Sequence, residues 1–405
     1  MSMLFDPNFK NVVTKLQNKL ASNSTYAFWI RFKAGDLEIN SYTDKNLFIN
    51  FENKKNGSGM VNSFTLHIAY QPYMTPTTNR FGDINYIDKC LFANTDWKCE
   101  LQYGYDYAPD NLVTPIYTGQ VTGYDKEIQN GMIHYTLTGY SSIVSLVEND
   151  ITENDMHNIR ATEAAKKILE KYVTDYKIII DDSAKEKDAV QETINGTADA
   201  NIFGYVNTIL QSAIDIEERS DAKKSPYYTY IVDDVAKEIR IVRVSTASKS
   251  EVSFTFNWMD RSNNIVTDFR PKYDGAVLMA YGTGSKEESK VITAGAETET
   301  KTSIKKPVNV AQTADSDIQI EMSKWSEALK KLPMTATMTT VGIPYDIKLL
   351  TTITVNPIIY GQKDYSAGDY IITEITDNLD SGGFITTLEM FKNIVNDDDD
   401  SEGVG

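Results

Sequence analysis

The sequence predicts a mainly β protein with α+β content, organised as two related β-barrel domains with an intervening small α+β domain. Three observations carry that expectation. Short runs rich in Tyr, Phe, Thr, Ile and Val alternate with polar residues at period two over most of the chain. A central stretch switches to helical periodicity. A hairpin pattern that begins at Tyr117 returns at Gly368, 251 residues later. A length of 405 residues exceeds one ordinary core and suggests about two to four domains.

The elements follow in order. Residues 1–23 read as an N-terminal helix or arm. Asp6 can cap a helix over 6–20 and Pro7 suits its first position. Phe9, Val12, Val13, Leu16 and Leu20 then share one face. That face either packs on its own domain or docks on a neighbouring subunit.

Residues 24–155 read as the first β-barrel domain. Tyr26 to Phe32 is an apolar, aromatic run, and Phe64, Leu66, Ile68 and Tyr70 alternate with smaller or polar residues. Asn56-Gly57 marks a turn. Tyr117 to Tyr140 is a long hairpin about Asn130-Gly131, with Ile133, Tyr135 and Leu137 alternating on the return strand.

Residues 156–248 read as the α+β domain. Thr162 precedes a helical stripe of Ala164, Ala165, Ile168, Leu169 and Tyr172. Tyr176 to Ile180 is a strand, and Ala200 to Ile214 a second helix. Tyr227–Val232 and Glu238–Val244 form a hairpin through Asp233-Asp234.

Residues 249–394 return to strands as the second β-barrel domain. Within it, the segment near 282–320 is poor in large apolar groups and reads as a flexible insertion, a linker or an arm ordered by a partner. A helix near Ser323 to Leu332 stops before Pro333. The acidic tail, 395–405, holds Asp397 to Asp400 and reads as disordered.

The two hairpins share a Gly-containing turn and a Thr-Leu pair at one offset in the return strand. Generic β patterning accounts for such a match. A true repeat would make the two barrels relatives.

Charge and motif content narrow the function. A net charge of −17 disfavours sequence-independent gripping of nucleic acid, which needs basic surface. Solubility explains the acidity, as does an acidic wall along a channel that must not hold polyanions. No stretch approaches the ~18 apolar residues of a membrane span, so stable membrane insertion is not expected. MSMLFDPNF is not a signal segment, and the chain reads as folded in a cytoplasm. The Asn-x-Ser/Thr triplets at Asn23, Asn56 and Asn195 are then chance matches. Cys90 and Cys99 match no zinc spacing; their separation permits a disulfide, but nothing indicates an oxidising compartment.

No catalytic, cofactor-binding or metal-ligating set emerges. His67 and His134 fall on the polar phases of strands, and His157 lies in a charged connection, outside any metal motif. There is no Gly-x-Ser-x-Gly elbow. Gly282-Thr-Gly284 lacks the Lys-Ser/Thr of a phosphate loop and reads as a turn. A two-carboxylate glycosidase would need a placed pair. The adjacent pairs Asp181-Asp182 and Asp233-Asp234 read as solvated turns, and Asp397 to Asp400 as a solvated tail.

Four stretches nevertheless resemble one family. They are Asn62 to Tyr70; Tyr117 to Tyr124 with its return strand through Leu137; Thr162 to Leu169 with Ala198 to Val206 and the following hairpin; and Ala367 to Ile375 with Gly382 to Leu388. The last is the most telling, a Gly-x-Tyr strand followed by Gly-Gly-Phe-x-Thr-x-Leu. Over roughly Ser24 to Asn393 the chain resembles the baseplate hub proteins of contractile phage tails and phage-like injection systems, a group that includes the late control protein D family. The helix at 6–20 and the segment 282–320 depart from that pattern.

The resemblance implies a non-enzymatic homotrimer. Two barrels per subunit would make a ring of six similar units, joining a six-fold tail tube to a three-fold central spike around the ejection channel. Its implied partners are a tail spike or tip protein, tail tube or tube-initiator proteins, baseplate wedge proteins and the tape measure protein. Its implied place is the tail baseplate of a virion or phage-like particle, assembled in the bacterial host cytoplasm. Two rivals remain: a receptor- or carbohydrate-binding module at the tail tip, and a cell-wall-degrading tail enzyme.

Overall fold

The alternating runs of the sequence join into one long ladder. The computed structural model of the chain describes residues 28–41, 43–44, 47–57, 61–74, 79–94, 96–105, 112–113, 117–141, 143, 145–216, 227–244, 252–260, 263–269, 276–283, 289–294, 304–308, 332–342, 349–381 and 383–394. The mainly β expectation holds: among the described residues, fifteen strands form a single sheet. Its main path runs Asn264–Phe269, Leu332–Val341, Gly383–Ile394, Gly368–Asp380, Phe48–Asn56, Ser63–Tyr70, Met132–Ser141, Tyr117–Gln129, Lys98–Tyr105, Phe28–Ala34 and Leu37–Asn40. Neighbours on that path are antiparallel. Off it, Thr352–Ile359 pairs antiparallel with Gly368–Asp380 and parallel with Val252–Asn257.

Among the described residues, three larger cores lie along the chain, and a small further cluster joins Val242 and Val244 to Ile371. The first gathers Phe32, Phe51, Leu66, Tyr70, Tyr135 and Leu137, and the helix Tyr86–Ala93 adds Ile87, Cys90 and Leu91 to it. The second is the α+β core. Ala161, Ala164 and Ala165 on the helix Ala161–Tyr172 are small enough to let the helix Ile202–Gln211 pack close. Both helices bury apolar faces against a three-stranded sheet of Lys177–Ile180, Glu238–Val244 and Tyr227–Asp233. The third core holds Phe254, Met338, Val355, Tyr370 and Leu388.

The hairpin match in the sequence extends to five strands. In the first β unit, Phe48–Asn56, Ser63–Tyr70, Met132–Ser141, Tyr117–Gln129 and Lys98–Tyr105 neighbour one another in that spatial order. In the second, Asn264–Phe269, Leu332–Val341, Gly383–Ile394, Gly368–Asp380 and Thr352–Ile359 do the same, with the same order along the chain. Tyr117–Gln129 and Gly368–Asp380 are both 13 residues long. Each is bulged at the same place, between Val121 and Gly123 in one and between Ile372 and Glu374 in the other. A bulge adds one unpaired residue and bends the strand, so its recurrence at an offset of 251 residues is not a product of turn chemistry alone.

The structure differs from the sequence reading in several places. The helix Tyr86–Ala93 stands where only strands were expected. Ile143, Leu146 and Ile151, expected in the first β unit, pack in the α+β core, and Asp150–Glu153 pairs with Thr197–Asn201. The segment near 282–320 is not without regular structure. Ala276–Thr283 pairs with Ser289–Ala294 and Ile304–Val308, and Gly282, expected in a turn, lies in the first of these strands. The helix expected over 6–20, residues 323–331 of the one expected near Ser323 to Leu332 and the acidic tail lie outside the described residues, while Leu332 itself opens the strand Leu332–Val341.

Candidate functional site

Polar side chains buried on strands need partners, and here they converge where the units meet. Between the two β units, Asn53 and Asp377 sit on the inward phase of their strands, Asn53 next after Phe51 and Asp377 between Ile375 and Leu379. Asn53 Nδ2 donates to Tyr103 Oη at 2.8 Å, and Tyr103 Oη donates to Asp377 Oδ2 at 2.7 Å. Thr386 Oγ1 donates to the other carboxylate oxygen at 2.6 Å. Nearer the edge, Lys54 Nζ lies 2.7 Å from Glu374 Oε1, and Gly57 N donates to Thr373 O at 2.7 Å. A backbone ladder from Glu374↔Asn56 to Leu379↔Phe51 runs through this joint.

A second joint ties the first β unit to the α+β unit. Asp234 is buried and receives Asn62 Nδ2 at 2.6 Å and Tyr176 Oη at 2.7 Å. Burial pushes its carboxyl up to about 6, against hydrogen bonds from Tyr176, Asn62 and Ser141 that act the other way. Lys237 Nζ donates to Thr118 Oγ1 at 2.6 Å and to Tyr176 Oη at 3.2 Å. Burial lowers its pKa, while the nearby Asp234 and Asp175 raise it. This corrects the expectation that Asp233-Asp234 is a solvated pair. Asp233 does serve the turn, accepting from Val235 N and Ala236 N, whereas Asp234 points inward.

The other sequence candidates are also accounted for. Asp181 lies 3.4 Å from Arg240 Nη1, and burial raises its pKa; Asp182 opens the helix Asp182–Lys187. His67 Nε2 and His134 Nδ1 are 3.2 Å apart, with the rings stacked. Burial, then the neighbouring His134, lowers the His67 pKa. His157 Nδ1 contacts Thr193 Oγ1 at 3.1 Å. Cys90 and Cys99 are free and buried, and burial pushes the Cys99 thiol up to about 12. Among the described residues, no three His, Cys, Asp or Glu side chains are grouped to hold a metal ion. No described helix is long and apolar enough to cross a membrane.

An open hollow of about 570 Å³ lies in the α+β unit, lined by Glu153, Asp155 and His157 among others. Its carboxylates have structural partners. Glu153 takes hydrogen bonds from Lys171 and Tyr172, and Asp155 accepts Gly196 N at 2.7 Å. Chemically, the buried polar groups fix the units in one relative arrangement. Sequence reasoning missed the Asn53–Tyr103–Asp377 joint. The signal was there, since Asp377 lies between Ile375 and Leu379 on an otherwise apolar phase.

Known proteins share this architecture. No protein-family model matches the chain, and no curated protein does. Among solved structures, the chain is similar to a tail protein from Neisseria meningitidis MC58, with a TM-score of 0.56 and 12% identity, over 91% of this chain and 97% of that one. It is similar in equal degree to the 43 kDa tail protein of prophage MuSo2 from Shewanella oneidensis, at TM-score 0.56 and 14% identity, over 90% and 98%. At such identities the likeness is one of fold, and it extends over nearly the whole of both tail proteins.

Proposed function

We propose that this chain is a non-enzymatic structural subunit of a phage tail or phage-like injection particle. Within that particle it acts as a baseplate hub: three copies form a ring between the six-fold tail tube and the three-fold spike, around the ejection channel. The observation that carries the reading is the doubled five-strand unit. A subunit with two similar units presents six of them in a trimer, which matches a six-fold neighbour on one side and a three-fold neighbour on the other. The fold shared with two tail proteins supports the same reading. So does the use of buried carboxylates in the joints between units. The division into an arm at 1–23, β units at 24–155 and 249–394, and an α+β unit at 156–248 belongs to this proposal, with the stretch from Ile143 to Glu153 moved into the α+β unit on its packing. So do the spike or tip, tube, wedge and tape measure partners.

A second reading, a glycan-binding module at the tail tip, has one observation in its favour. Trp258 and Tyr360 are 50% and 84% exposed, with ring centroids 5.4 Å apart. Light scattering after size exclusion separates the two. A species near three times 45.5 kDa is expected for the hub. A monomer at all concentrations overturns the ring and moves the glycan module to the front.

A further inference from the structure

We propose that two open strand edges of this chain, Gly123–Gln129 and Asn264–Phe269, pair with each other between copies, through the same ladder that joins the two β units within a copy. The ladder is read from the repeat; only the number of copies, three, rests on the hub reading above.

Within the chain, the half of Gly368–Asp380 that follows the bulge pairs antiparallel with Phe48–Asn56. The repeat carries Glu374–Leu379 onto Gly123–Ile128, which also follow a bulge. It carries Phe48–Asn56 onto Asn264–Phe269, since each is the first strand of its five and pairs with the second. The register transfers residue by residue. Phe51 faces Leu66, which faces Leu137. Ile265 faces Met338, which faces Leu388. Leu137 and Leu388 are equivalent at the 251-residue offset, so Ile265 holds the place of Phe51. The internal pair Leu379↔Phe51 therefore becomes Ile128↔Ile265 between copies. Asn378↔Glu52 becomes Glu127↔Val266, and Ile375↔Lys55 becomes Tyr124↔Phe269.

The state of these edges supports the transfer. Among the described residues, Gly123–Gln129 and Asn264–Phe269 each pair along one side only. Leu379 is fully buried in the internal joint, whereas Ile128, at the equivalent position, is 71% exposed, and Val266 is 60% exposed. Open edges carrying exposed branched apolar side chains invite strand addition. The contact joins different surfaces of the two copies, the head-to-tail kind that closes rings. The register also sets Asp125 opposite Asp268, a like-charge pair that a single reversal converts into an attraction.

The test uses the full chain carrying Ile128→Cys and Ile265→Cys. Directly opposed strand residues have Cβ atoms about 4.5–5.5 Å apart, within reach of a disulfide after small adjustment. Under mild oxidation the double variant is expected to give a reducible, trimer-sized covalent species. Neither single variant should do so, nor should Ile128→Cys with Val266→Cys, whose side chains face opposite ways. Ile128→Asp is expected to weaken association at least tenfold with unchanged circular dichroism, and Asp268→Lys to strengthen it. A trimer that resists cross-linking and ignores Ile128→Asp overturns this interface and leaves the hub reading standing. A monomer in every case overturns both.

Discussion

Asp234 couples stability to pH at the scale of one carboxyl. Its folded pKa of about 6 lies above the ordinary carboxylate value of 3.8, because burial disfavours the charge. The folded state thus holds the proton more tightly than the unfolded chain. The stability this contributes is complete below the unfolded value and is lost as pH rises through about 6. Relative to Asp234→Asn, which cannot ionise, the native chain should lose about 1–3 kcal/mol between pH 4 and pH 7 in urea unfolding. Parallel pH profiles would contradict this. Asp188, also raised to about 6 by burial, is common to both proteins and cancels in the difference. The local sequence shows Asp233 serving a turn. It does not show Asp234 turning inward, because its partners Asn62 and Tyr176 are 172 and 58 residues away.

At the scale of the element, the hairpin Tyr117–Gln129 with Met132–Ser141 is the part most legible in the sequence. Asn130 and Gly131 take φ of 53° and 74°, the left-handed pair that a two-residue turn requires and that Asn-Gly announces. What the pattern does not announce is how closely the strands approach. A Cβ at Gly139 would stand 2.4 Å from Gln120 O and from the Phe64 ring. The backbone oxygen belongs to the ladder and cannot retreat. Gly139→Ala is therefore expected to cost about 2–4 kcal/mol in urea unfolding; a cost under about 0.5 kcal/mol would show that the ladder yields. The helix Tyr86–Ala93 was harder to read. Ile87, Cys90 and Leu91 have helical spacing, but eight residues among strands give a weak signal. The joint Asn53–Tyr103–Asp377 showed only as polar residues on apolar phases, without its partners.

At the scale of the whole molecule, the first and third cores share one ladder across Phe48–Asn56 and Gly368–Asp380. Leu379 and Phe384, from the second β unit, are buried in the first unit's core. Two cores joined in this way should melt together. Calorimetry is expected to show one transition for both β units, shifted as a whole by Tyr103→Phe, which removes the hydroxyl between Asn53 and Asp377. Two separable β transitions would show that the joint is weak. The sequence gives the two units by their repeat, but not this ladder, because every strand of suitable pattern is a candidate partner for every other. The ladder has a consequence for synthesis. Asn56 is made 318 residues before Glu374, its ladder partner. At about 5–20 residues per second, the Phe48–Asn56 edge leaves the ribosome roughly 15–65 s before its own partner strand exists. In that interval a finished neighbour's Glu374–Leu379 segment can claim it, so that subunits made side by side can exchange their second β units as they assemble.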